Sequence, residues 1–347
     1  MNSRLSLFAI AAALLLIAAA PAAAAPKPPP VGGSTAPGQV FAPNPVADLG
    51  IQTLTDQKDA DFFSADPALA KAYHRVTLTN LDGTGTLTGD YAKVLSSTGK
   101  PATNTGNGFI YTRDQDQFEQ VMGYYWVTQA QRYIQSLGFG TGEFPAVNKR
   151  QQLLRMDQFG GDNSFYREGT GKLTITLGKG GVDDAEDAEV IVHEYGHSVQ
   201  DNQVPGFGST PDAGAIGEAF GDYLAVTVSE HFAPTPDEPC VADWDSTSYT
   251  STVPHCLRRV DGNKHYPEDL VGEVHADGEI WSRALWDIHQ ALGATRADRI
   301  IIDAQFDFTA DISMPDAATA TIATARRLYG QGVANTVTAA FAARGLA

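Results

Sequence analysis

The stretch Val192-His193-Glu194-Tyr195-Gly196-His197 holds two histidines four positions apart, with a glutamate directly after the first. On a helix, residues four apart share a face, so both imidazoles reach one cation. Glu194 stands one step round from His193, beside such a cation and not on it. There it is placed to take a proton from a metal-activated water. Helical text runs from Ala185 to Val199, with Asp183 and Asp184 at its start, where negative charge suits the helix dipole. Three fixed letters in five positions also arise by chance, on a helix whose histidines are ordinary core or surface residues. The neighbourhood therefore has to decide.

The next helical stretch, Ala213 to Val228, contains Gly217-Glu218-Ala219-Phe220-Gly221-Asp222. Two neutral imidazoles joined by the Glu218 carboxylate leave a fourth zinc position open for water, which is a catalytic arrangement and not a structural one. Asp222, one turn further on, is placed to accept the second N–H of a ligand histidine and fix its tautomer. An exposed acidic face is the bland alternative. It fits poorly, because Ala215, Ile216, Ala219, Phe220, Tyr223 and Leu224 make the helix apolar all round, and two unpaired acids buried there would be costly. The expected metal set is His193, His197 and Glu218 around one Zn2+, with Glu194 as general base and Asp222 behind the metal.

Upstream of the motif, Tyr73 to Val94 reads as strands with turns such as Asp82-Gly83. Phe118 to Leu137 has helical spacing and is stopped by Gly138. Leu153 to Leu177 is strand-like again, before a turn at Gly178 to Gly181. Downstream, a loop-like region from Phe232 to Tyr266 precedes helical text from Gly278 to Leu346, broken at Gly293, Pro315 and Gly330 to Gly332. No internal repeat is visible. The chain is thus expected to be α+β. A β-rich lobe covers 47–200 and ends in the metal helix, and an α-helical lobe covers 201–347.

Residues 1–24 have the layout of a secretory signal peptide: one positive charge at Arg4, an apolar run from Leu5 to Ala19, then small residues. The run is too short for a membrane span and no stop-transfer charges follow, so export without a membrane anchor is expected, to an extracellular or periplasmic space. Residues 25–46, rich in Pro and Gly, read as an extended lead-in and not as a packed element. The chain has 347 residues and a formal charge of −17, which disfavours nucleic acid and anionic lipid as partners. Its two cysteines, Cys240 and Cys256, are close in sequence, and in an exported protein such a pair is expected as a disulfide.

The HEYGH helix followed by GAIGEAFGD resembles the gluzincin metallopeptidases of the thermolysin and fungalysin group, in which HExxH is followed by ExxxD on the next helix. The matching positions are His193, Glu194, His197, Glu218 and Asp222. The likeness extends from about Gln39 to the end of the chain. It implies a thermolysin-like, two-lobed fold with the zinc helix between the lobes, and a zinc-dependent endopeptidase acting on peptide or protein substrates as a monomer. Val274-His275-Ala276-Asp277-Gly278-Glu279 is similar to the family segment whose His hydrogen-bonds the tetrahedral intermediate, which implies that role for His275. Asn163-Ser164-Phe165-Tyr166 is similar to the edge strand that pairs with substrate backbone, which implies substrate contacts at Asn163 and Ser164. Leu257-Arg258-Arg259 is similar to the segment whose Arg binds a substrate carbonyl, with Arg258 in that position.

The resemblance also implies features that are less visible. Ca2+ is common in the family, and Asp183, Asp184, Glu186 and Asp187 are candidates for it, although an acidic helix start explains them equally well. A large propeptide is usual, yet the residues between the leader and the first clear helix read as part of the catalytic unit. The interval Ser198 to Gly217 lacks the Tyr that thermolysin-like members use beside the His, so His275 is expected to act with less help. Two other readings remain open: a silent binding protein on the same scaffold, and a zinc hydrolase acting on a non-peptide bond.

Overall fold

The computed structural model describes residues 33–55, 67–95, 99–167 and 173–347. The expected leader at 1–24 and the first part of the lead-in lie outside the described residues. The fold is mixed α and β, in two lobes, with the metal-motif helix between them.

The N-terminal lobe opens on a ribbon of β1 (Ser34–Val40) and β2 (His74–Leu81), paired antiparallel. Between them, α1 (Pro45–Leu49) starts at Asn44, whose side chain accepts the Ala47 N–H, with Pro at the first helical position. Three further strands join β3 (Ala92–Val94): β4 (Gln152–Phe159), β5 (Phe165–Arg167) and β6 (Thr174–Gly178). Together they form a sheet in the order β3-β4-β6-β5, with β5 antiparallel at its edge. Across this sheet lies α2 (Gln117–Ser136), buried over most of its length. It is tied to the ribbon by Trp126 Nε1 donating to the Phe41 carbonyl at 3.1 Å and Tyr124 Oη to that of Thr79 at 2.8 Å.

Those bonds explain a difference from the expected lead-in. Part of the 25–46 segment is packed: Val40 and Phe41 are fully buried, and β1 is a paired strand. Pro37 and Gly38 weaken strand propensity locally, but the partner β2 and the floor supplied by α2 override it.

The C-terminal lobe is helical. After α3 (Ala188–Gln203) come α4 (Pro211–Phe232), α5 (Val274–Leu292), α6 (Ala294–Ala304), α7 (Met314–Tyr329) and α8 (Gln331–Ala342). Between α4 and α5, the two-residue strands β7 (Cys240–Val241) and β8 (Arg258–Arg259) pair antiparallel. The expected disulfide between Cys240 and Cys256 is present, with Cα atoms 5.3 Å apart. Two helix starts differ from the sequence reading. Asp187, not a residue near Ala185, caps α3, because its carboxylate accepts the Glu189 N–H. Glu273 caps α5 through the His275 and Ala276 N–H groups, so that helix begins before Gly278 and carries His275 in its first turn. Among the described residues, no helix is long and apolar enough to cross a membrane.

Candidate active site

The centre of the molecule is the crossing of α3 and α4. A Cβ on Gly196 would lie 2.9 Å from the Cα of Gly221, and a Cβ on Gly221 would lie 2.7 Å from His193 Nδ1. The missing side chains let the two backbones approach, and the approach brings α3's histidines against α4's carboxylates. His193 Nε2 is 3.1 Å from Glu218 Oε2, and His197 Nε2 is 3.6 Å from Glu218 Oε1. The imidazole rings are 4.9 Å apart and nearly perpendicular. One ligand atom from each of His193, His197 and Glu218 lies within 4.8 Å of the other two.

Behind this trio, His193 Nδ1 is 2.8 Å from Asp222 Oδ1. Asp222 in turn accepts two bonds from Arg258, from Nε and from Nη2, each at 2.7 Å. This uses one edge of the guanidinium and leaves Nη1 outside the pair. Burial pushes both Glu218 and Asp222 upward, but the histidines around Glu218 and the Arg258 charge beside Asp222 outweigh it, so both carboxyls sit well below the usual range. Burial lowers His197 to about 4. It lowers His193 as well, yet hydrogen bonds to Asp222 and Glu218 win and carry that imidazole up to about 10. Two imidazole nitrogens and one carboxylate, converging in a buried site with a carboxylate orienting one ring, form a donor set that fits zinc.

Glu194, next to His193, is 6% exposed, and its Oε2 has no hydrogen-bond partner among the described residues. Burial raises it to about 7, opposed by the His193 charge, the Tyr166 backbone N–H and Arg258. A buried carboxylate oxygen without a partner, beside three metal-type ligands, is costly unless it has a chemical task.

The trio opens into a cleft of about 470 Å³. One side is the segment leading into edge strand β5, where Asn163 and Ser164 line the cleft and Ser164 Oγ donates to Asp184. Opposite stands His275, half-exposed, with Nε2 3.2 Å from Glu218 Oε2 and Nδ1 2.6 Å from Glu273 Oε1. Arg258 lines the same cleft, as do Val190, Val241 and Leu257. The residues expected to hold the metal, act in catalysis or contact substrate are therefore brought together, while the disulfide closes the neighbouring loop.

Several contributors escaped the sequence reading. Glu273 holds His275, and its signal was an acid just ahead of a helical run. Gly221 makes room for His193, which only the helix crossing reveals. Of the four acids suggested for calcium, two are committed elsewhere. Glu186 accepts from Arg113 Nε at 2.7 Å and Trp244 Nε1 at 2.9 Å. Asp187 accepts from the N–H groups of Glu189, Trp244 and Asp245 and from the Asn44 amide. Asp184 keeps company with Asp162 and Asp245 instead.

Comparison with known proteins agrees with this picture. The family model described as fungalysin metallopeptidase (M36) matches residues 80–347. Among solved structures, the chain is similar to the precursor of protealysin, a metalloproteinase from Serratia proteamaculans. Identity is 17%, the TM-score is 0.52, and the match covers 74% of this chain and 86% of that one. At that identity the likeness concerns the fold. No curated protein matches.

Proposed function

The chain belongs to the fungalysin metallopeptidase family, a zinc hydrolase acting on peptide bonds, and on that premise we propose that it is a secreted endopeptidase whose metal is held by His193, His197 and Glu218. The observation that carries the reading is the convergence of those three groups beside the buried Glu194 carboxylate, whose Oε2 has no hydrogen-bond partner among the described residues. When bound, the zinc supplies Lewis-acid polarisation of the scissile carbonyl and of the attacking water. Glu194 accepts the proton of that water and hands it to the leaving amine. His275 donates a hydrogen bond to the oxygen that gains charge, while Glu273 on its other nitrogen fixes the tautomer and the ring orientation. Asp222 keeps the His193 ring aligned and is itself held by Arg258. Asn163 and Ser164, ahead of the free edge of β5, pair with an extended substrate, and Nη1 of Arg258 reaches its carbonyl. Val190, Val241 and Leu257 suit an apolar side chain on the leaving-group side.

In the same reading, residues 1–24 are a secretory leader, 47–200 and 201–347 are the two lobes, and the protein acts as a monomer outside the cytoplasm. The rival idea of a silent binding protein draws no support from a site that retains its base. The test is a casein or peptide assay with metal analysis. The reading requires about one zinc per chain and activity lost to a chelator and restored by zinc; zinc-loaded protein without turnover would reject it.

A further inference from the structure

The face of the four-stranded sheet turned away from α2 carries a second hollow, of about 510 Å³. Strand register builds it. Arg155 of β4, Thr176 of β6 and Phe165 of β5 stand side by side across three strands, and Thr174 and Arg167 form the next row. Residues in one such row share a face of the sheet. The alternate residues Leu154 and Met156 lie on the other face, against Gly123 of α2. Phe159, 40% exposed, also lines the hollow and meets Phe165 edge-on, with ring centres 5.7 Å apart. The Arg167 guanidinium lies over the Phe165 ring, 4.6 Å from its centre.

The two arginines lack what the chain holds in excess. Acids outnumber bases 41 to 24, yet neither Arg155 nor Arg167 pairs with a carboxylate among the described residues. Arg155 Nε is closed to solvent and has no hydrogen-bond partner there. Arg150, just ahead of β4, behaves otherwise: it bonds to Tyr166 Oη at 3.0 Å and lies 3.6 Å from Asp201. A guanidinium that has given up water without gaining an acid is costly to keep. Two of them beside a pair of phenylalanines make a surface that is both cationic and apolar.

We propose that this hollow binds an acidic segment of a protein substrate, away from the cleft in which the bond is cut. Guanidinium groups take carboxylates through paired, charge-assisted bonds, and the phenylalanines suit an aromatic or aliphatic neighbour. Position favours polypeptide as the occupant, because Phe165 lines both the hollow and the cleft. From Ser164 to Arg167 is about 10 Å of extended chain. A substrate paired with Asn163 and Ser164 thus brings residues about three to five places from the cut within reach of the arginines. That the segment belongs to a substrate rests on the peptidase reading; the charge match does not. Neither arginine touches the reacting atoms, so both act on KM and not on kcat.

The test has two arms. In the first, zinc-loaded Glu194→Gln is titrated into a fluorescein-labelled peptide rich in glutamate and phenylalanine, and anisotropy is followed. The control is the same peptide with glutamine in place of glutamate. Tighter binding of the acidic peptide is expected, weakened about tenfold by Arg155→Gln, by Arg167→Glu or by raised salt. Arg167 is exposed, so its variant decides the matter if Arg155→Gln does not fold. In the second arm, the otherwise unaltered enzyme cleaves substrates with the acidic segment about three to five residues to either side of the cut. For one of the two placements, KM is expected to lie about fivefold or more below that of the glutamine counterpart, with kcat unchanged. Arg167→Glu abolishes that difference and leaves the glutamine substrate's kinetics as they were. Equal binding of the two peptides, or binding unaltered in both variants, overturns the proposal. A wild-type dimer that the variants dissociate, with peptide binding unaltered, assigns the hollow to a second copy and overturns it too. Arginine-dependent binding by a protein that cleaves neither substrate refutes the peptidase reading and leaves the acidic-segment site standing.

Discussion

Gly221 of α4 lies directly beneath His193 of α3, so close that a Cβ at position 221 would stand 2.7 Å from the imidazole Nδ1. The hydrogen bond from that ring to Asp222 depends on the missing side chain. Gly221→Ala is therefore expected to tilt His193 and weaken zinc binding by roughly 10- to 100-fold. Overpacking at the crossing should lower stability by about 1–3 kcal/mol. Competition against a chromogenic chelator measures the first effect and denaturant unfolding the second; wild-type zinc affinity in the variant would refute the packing argument.

Asp222→Asn removes the charge that faces Arg258 while keeping nearly the same shape. Arg258 is largely buried, so uncovering it is expected to cost on the order of 3–5 kcal/mol. The loss should exceed that of Arg258→Ala combined with Asp222→Asn, because the double variant has no stranded charge. A double-variant loss equal to the sum of the two single losses, measured by urea unfolding, would show that the pair is not coupled.

Stability of the metal-free protein should fall as pH rises. Burial and acidic neighbours lift Asp184 and Asp243 to about 8, burial lifts Glu194 to about 7, and hydrogen bonds lift His193 to about 10 despite its burial. Each of these groups holds its proton more tightly folded than unfolded. Their contribution is fully present below the unfolded values and is lost on the way up to the folded ones. Glu218 and Asp222 are shifted the other way, and their contribution is lost only as the medium turns acidic. The thermal midpoint in chelator is thus expected to be higher at about pH 5.5 than at about pH 8. A midpoint that climbs over this interval would contradict the assignment.

The disulfide closes a loop of sequence separation 16 that carries Asp243 and Asp245 and ends two residues before Arg258. Replacing both cysteines by serine is expected to remove about 3 kcal/mol, or about 5–10 °C in thermal midpoint. Because β8 follows at once, peptidase activity should fall as well. Full activity in the double variant would show that Arg258 is positioned by Asp222 alone.

Much of the site was legible because the helix period makes it so. His193 and His197 must share a face, and Glu218 and Asp222 must do the same on the next helix, whatever the rest of the chain does. The contributions of Arg258 and Glu273 were harder to read. Arg258 reaches Asp222 across a long loop, and Glu273 caps a helix whose start lay earlier than its apolar text suggested. β1 was hidden by Pro37 and Gly38, since its pairing depends on β2 and α2, which are distant in sequence. The Asp162, Asp184 and Asp245 cluster follows no local pattern at all, because three separate loops create it. Periodicity exposes what one or two helices hold in common; meetings between loops are left to the fold.

The central claim is that Glu194 is the base beside a zinc held by His193, His197 and Glu218. Its most direct test is Glu194→Gln, assayed for peptide hydrolysis beside the wild type, with zinc content measured on the same samples. The expected result is one zinc bound as in the wild type, an intact fold, and kcat lowered by at least about 100-fold. Hydrolysis at the wild-type rate by zinc-loaded Glu194→Gln would contradict the account.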